Sequence, residues 1–214
     1  MSIFDIIFGK KKEEITEGIL QHPLYISLCQ IAGLTSIINP QQLGNYLLNV
    51  EQEEHRTGKY FEKGMRIETA SLYPIAVFVE QNFDSLRKEL SIVLIEIGKA
   101  LLPFYIHAAG KMISIDLDYK RAEHFVSWGI KITDAAGIDI KRNPAFLIMD
   151  AFLRRNIAAF ETLIRVSRGT GWGWDGGNVY EGDFTYMMHA LLKGLEYGKI
   201  ESNLKSGKIR IKYI

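Results

Sequence analysis

Apolar residues recur at helical spacing along most of this chain, and strand-like alternation is confined to two short stretches. The clearest periodic segment opens at Asn143-Pro144, where Asn suits the N-cap and Pro the first helical position. Its pattern predicts a helix to about Arg168. Phe146, Met149, Leu153, Ile157, Phe160 and Ile164 form one face, and Ile148, Phe152, Ala159, Leu163 and Val166 widen it. Asp150, Arg154, Glu161, Arg165 and Arg168 occupy a narrow polar stripe. A helix apolar over so much of its circumference is packed by neighbours on several sides. Asp150 with Arg154, and Glu161 with Arg165, are i,i+4 pairs in the favourable order.

A second helix is predicted from about Asp84 to Leu101, with Leu86, Leu90, Val93, Leu94, Ile97 and Leu101 inward. Ile92 and Ile95 on its back face suggest cover on both sides, and Pro103 should end or kink it. Further helices are expected from Asp183 to Gly198, from Asp118 to Ala136 with Gly137 as its stop, and from Pro23 to Gly33. A short one should open at Asn39-Pro40. Glu51, Glu53, Glu54, His55, Arg56, Lys59, Glu62 and Lys63 read as a solvated face. The run Ile75–Val79 fits strand or buried helix equally, because periodicity does not separate them over so few residues. The two alternating stretches are Met112–Asp118 and Lys208–Tyr213, one acidic and one basic between the apolar positions. Pairing them would set opposite charges across a ladder.

These elements predict a mostly α fold, a single-domain multi-helix bundle spanning residues 1–214. A short β-hairpin or strand pair involving the C-terminus is compatible with it, and residues 1–12 would form a peripheral N-terminal helix. Composition agrees: 47% hydrophobic and 24% charged residues give the globular balance rather than that of a disordered chain. Lys plus Arg number 26 against 25 Asp plus Glu, so the basic excess of a dedicated nucleic-acid binder is missing. Cys29 is the sole cysteine, which excludes an internal disulfide and points to a buried thiol. The apolar start, Met1–Phe8, precedes Lys10, Lys11 and Lys12, the reverse of a secretory signal. No run approaches about 20 consecutive apolar residues, so no stable membrane insertion is expected and the cytoplasm is the default location.

Motifs that carry chemistry demand particular residue types at fixed spacing. The segment Gly169–Gly177 is glycine-rich, but it follows a helix instead of a strand, and no Gly-Lys-Ser/Thr is present. Asp175, Asn178, Glu181 and Asp183 crowd oxygen ligands without the alternation of a calcium loop, and turn formation accounts for them. His22, His55, His107, His124 and His189 are scattered, with no His-Glu-x-x-His or Glu-x-x-His spacing. No metal and no cofactor is expected.

The remaining signal is the loop itself. Trp172 and Trp174, with Tyr180 nearby, sit among adaptable glycines beside Asp175, Arg165 and Arg168. Aromatic and arginine side chains dominate interface energetics. The expectation is therefore a non-catalytic cytosolic protein–protein interaction module, of neutralising (immunity) or adaptor type, binding one specific protein partner. The alternative is an enzyme or small-ligand binder with a pocket under loop 169–180, using Arg165, Arg168, Asp175, Glu181 and His189. Trp128 is expected in the core.

Overall fold

In the computed structural model, residues 17–61, 64–139, 145–156, 158, 159, 162 and 163 are described, and among them the secondary structure is helical with no strand. Helix α1 spans Pro23–Ile31, capped by the His22 ring, which accepts from Leu24 N–H. Helix α2, Pro40–Arg56, is longer than Asn39-Pro40 suggested. Its start carries a complete capping box: Asn39 accepts from Gln42 N–H, and Gln42 reaches back to Asn39 N–H. The undecided run Ile75–Val79 lies inside α3, Tyr73–Gln81.

The predicted helix over Asp84–Leu101 is two helices. Helix α4 covers Phe83–Glu89 and α5 covers Ser91–Lys111, with Leu90 leaving helical geometry between them. The bend keeps both Leu86 and Leu90 buried, and hydrogen bonds at Leu90 N and Leu94 N continue across it. Pro103 does not end α5. The carbonyl it leaves without an intrahelical donor belongs to Lys99, an exposed residue. Among the described residues α5 alone is long and apolar enough to cross a membrane, with a mean hydropathy of 1.5, yet 61% of that stretch is buried inside the molecule. It is the central helix, packed mainly against α2 and the helix that follows. Cover on both sides is not borne out at its start, where Ile92 and Ile95 are exposed.

The alternation in Met112–Asp118 misled. Met112–Asp116 forms a π-turn continuing α5, so it is no strand, and its intended partner 208–213 lies outside the described residues. Leu117 follows in the left-handed region at φ 56°. Helix α6, Tyr119–Ala135, then begins with Asp118 accepting from Arg121 N–H. Gly137, at φ 65°, ends it as predicted, a conformation that glycine adopts without steric cost. Helix α7 spans Ala145–Leu153, and Arg155 at φ 55° interrupts the predicted helix; Ala158, Ala159, Thr162 and Leu163 are helical again, while its predicted start at Asn143-Pro144 and end at Arg168 lie outside the described residues. Asn156 then accepts from Ala159 N–H and restarts the helical path. Arg154 pairs with Asp150 at 2.8 Å, as the spacing predicted.

The solvated face predicted over 51–63 holds at Glu53 and Arg56, which are exposed, and fails at Glu51 and Glu54; Glu62 and Lys63 lie outside the described residues. Glu51 and Glu54 are 2% and 8% exposed. Glu54 accepts from Ser71 N–H at 3.1 Å, Ser71 Oγ at 2.7 Å, Tyr60 O–H at 3.3 Å and Lys59 Nζ, tying the irregular 57–72 segment to α2. Glu51 lies 2.7 Å from His107 Nδ1 on α5, and the His107 ring stacks on His55 with centroids 4.1 Å apart. Cys29 is fully buried, as expected. Trp128 is only half-buried, edge-on to Phe83 with Lys131 over its face.

Candidate functional site

A pocket of about 420 Å³ opens between α3 and the start of α6. Ala76, Val77 and Phe125 give it an apolar floor, while Glu80, Asp118, Lys120, Arg121 and His124 supply its polar groups and Tyr73 its side. Five of its nine lining residues are charged groups or histidine, a more polar wall than the mostly apolar one of a typical small-molecule pocket.

The positions of those polar groups follow from the turn before α6. Lys111, fully buried at the end of α5, holds Asp116 at 2.8 Å, and the N–H groups of Leu117 and Asp118 both return to Met112 O. The π-turn and the left-handed Leu117 thus set the point at which α6 starts. Such irregularities are enriched at functional sites. Asp118 is spent as the N-cap, and no acidic residue follows in the first turn; Lys120 and Arg121 stand there instead. Cations at a helix N-terminus oppose the macrodipole, so their placement works against helix stability.

Arg121 is held by Glu68 at 2.7 Å and lies over the Phe125 ring at 5.9 Å. Glu68 sits below the ordinary carboxylate range, held there by its own backbone N–H and then by the charges of Arg121 and Arg66. Lys120 is exposed, and among the described residues it has no ion-pair partner.

The most ordered part of the site is a chain of three side chains from three helices. Tyr105, fully buried on α5, donates its O–H to Glu80 Oε1 at 2.9 Å. Glu80 Oε2 lies 3.0 Å from His124 Nε2. Burial first, and the Glu80 charge second, push the Tyr105 phenol far above its ordinary range, so it stays a donor. An ionised carboxylate only accepts, so Glu80 accepts a hydrogen bond from each neighbour, His124 donating through Nε2–H. Nδ1 is then the nitrogen free to meet a ligand, and the His124 side chain is 50% exposed.

The sequence-derived candidates Arg165, Arg168, Trp172, Trp174, Asp175, Tyr180, Glu181 and His189 all lie outside the described residues. The groups gathered here were not singled out by sequence. Glu80 and His124 are 44 residues apart and share no motif spacing. One local signal was legible: an N-cap aspartate followed by Lys120 and Arg121 where acidic residues are favoured. Among the described residues no group of three or more His, Cys, Asp or Glu side chains is arranged to hold a metal ion. No protein-family model, curated protein or solved structure matches the chain significantly.

Proposed function

We propose that this chain is a non-catalytic cytoplasmic protein-interaction module that binds one specific partner, as a neutralising or adaptor protein would. The α3–α6 pocket is the described part of its contact surface, and it receives an acidic side chain of that partner. The supporting observation is the pair Lys120–Arg121 in the first turn of α6, beside Ala76, Val77 and Phe125, with Lys120 in no ion pair among the described residues. A cation kept where it disfavours its own helix is explained by what it contacts. Trp172 and Trp174, outside the described residues, are proposed as further contacts with that partner.

Affinity capture from the native host, read by mass spectrometry, identifies the partner. Wild type, Lys120→Glu and Trp172→Ala/Trp174→Ala would then be titrated against the purified partner, after circular dichroism shows that all fold. Charge reversal at Lys120 is expected to weaken binding about tenfold or more. Each tryptophan lost from a hot spot costs about 2–4 kcal/mol. A partner bound equally by wild type and Lys120→Glu removes the pocket from the surface.

An enzyme or small-ligand binder is the second reading, and the Tyr105–Glu80–His124 chain favours it. A histidine oriented by a carboxylate has the arrangement of a general base. Turnover in a screen of ester and phosphoester substrates, lost in His124→Gln, would replace the first reading.

A further inference from the structure

Helix α5 is the central helix, yet its start carries two bare isoleucines. Ile92 and Ile95 are 48% and 39% exposed, and their spacing puts them on one face. The pattern of apolar positions calls for cover on this face, and the described residues do not supply it. Gly44 of α2 lies against the backbone of Glu96, so the pair borders the seam between α2 and α5. On its side of that seam α2 carries no charged residue from Pro40 to Val50. The nearby carboxylates have partners on this protein: Glu89 meets His22, and Glu96 meets Lys99.

The described residues begin beside this pair. Ile19 is packed in the core, and His22 reaches Glu89 at 3.2 Å. Glu89 stands three residues before Ile92, so at most about 11 Å separates their backbones. Upstream of Glu17 the sequence holds Ile3, Phe4, Ile6, Ile7 and Phe8, with Asp5 alone charged among them. From Phe8 to Glu17 the chain spans up to about 30 Å extended and about 14 Å if helical, so reach does not limit contact. We propose that residues 3–8 of this chain are the cover of Ile92 and Ile95, docking there in the same molecule. Tethering favours this occupant over a free one, because a segment joined to the protein beside its target meets it at an effective concentration on the order of mM. Two isoleucines also offer far less than the roughly 1,000 Å² that a stable contact between chains buries. Lys10, Lys11 and Lys12 would meet Arg87 and Lys88 there as well as Glu89, so apolar burial and not charge drives the contact. The docking is independent of the α3–α6 pocket and of the partner proposed for it.

A nitroxide attached to the full chain through Asp5→Cys reads the contact. Cys29 is fully buried and stays unlabelled. The label is expected to broaden the isoleucine methyl signals of Ile92 and Ile95 more than those of Ile31 and Ile37, which are equally exposed elsewhere. Adding Ile3→Asp and Ile7→Asp to the labelled chain should remove that broadening, with circular dichroism unchanged. Signals of Ile92 and Ile95 that stay sharp in the labelled chain overturn the proposal. An equimolar mixture of nitroxide-bearing chain without isotope and isotope-labelled chain without nitroxide tests for a second copy. Both isoleucines should stay sharp in the mixture, and broadening there as strong as within one chain would make another molecule the occupant and overturn docking in the same molecule. Phosphatidylcholine–phosphatidylserine vesicles test the lipid alternative. Immobilisation of the nitroxide by vesicles, with Ile92 and Ile95 sharp in their absence, would assign residues 3–8 to a membrane surface and overturn the proposal.

Discussion

Gly129 on α6 lies directly against the Phe146 ring on α7: a β-carbon built on Gly129 would fall 2.1 Å from Phe146 Cε1. The ring is fully buried. Gly129→Ala should therefore destabilise the fold by about 1–3 kcal/mol through overpacking, despite the better helix propensity of alanine. Gly98 on α5 is the internal control, since a β-carbon there would only reach ordinary contact, 3.4 Å from Ala136 Cβ. Gly98→Ala should be neutral or stabilising by up to about 1 kcal/mol. Urea midpoints of the two variants should move in opposite directions, and a shared direction would contradict the packing described.

A second prediction concerns acid stability. Burial alone would push the Glu54 carboxyl up, but the hydrogen bonds from Lys59 and Ser71 outweigh it and hold the group below its ordinary range. A carboxyl depressed in the folded state contributes stability that is present above its unfolded pKa. That contribution is lost as pH falls through the folded value. Glu54→Gln, which keeps the shape but weakens the charge-assisted bonds to Lys59 and Ser71, should cost about 1–3 kcal/mol at neutral pH. The wild-type advantage should shrink as pH drops below about 4, where the unfolded glutamate is protonated. A difference between the two proteins that stays constant from neutral pH down to about pH 3 would show that Glu54 does not carry this linkage.

The legible features were those that local physics decides. Asn39, Asp118 and Gly137 bounded helices by capping chemistry that acts within four residues. The buried stripes of α5 and α6 followed from periodicity. The failures have tertiary causes. Glu51 and Glu54 read as solvated because charge predicts exposure, yet His107 and Ser71, 56 and 17 residues away, supply their partners. Met112–Asp116 alternated like a strand, but it sits at the end of a helix whose burial continues through Met112 and Ile113. The run past Leu153 kept its period while Arg155 broke the backbone. The pocket was illegible for the same reason, since α3, α5 and α6 each contribute one member of its hydrogen-bonded chain.

At the start of α2, Asn39→Ala should remove both halves of the capping box. Gln42 N–H loses its acceptor, and the return bond from the Gln42 side chain loses its geometric support. The expected cost is about 0.5–2 kcal/mol, whereas Asn39→Ser should retain most of the stability. Thermal unfolding of the three proteins checks this. Equal midpoints for alanine and serine would mean that the cap does not contribute.

The direction of the Tyr105–Glu80–His124 chain makes the last prediction. The Tyr105 phenol donates, and the Glu80 carboxylate accepts twice, so neutral His124 must carry its hydrogen on Nε2. Glu80→Gln changes the arrangement without changing its shape. The glutamine oxygen still accepts from Tyr105, and its amide nitrogen is turned toward His124 as a donor. His124 Nε2 must then accept, and the hydrogen moves to Nδ1. Nitrogen chemical shifts of labelled imidazole, measured above the histidine titration range, distinguish the two tautomers directly. Wild type should show the Nε2–H form and Glu80→Gln the Nδ1–H form. His124 of the variant then carries a donor at Nδ1 without taking up a proton. A wild-type His124 carrying its hydrogen on Nδ1 at alkaline pH would contradict the direction of the chain described here.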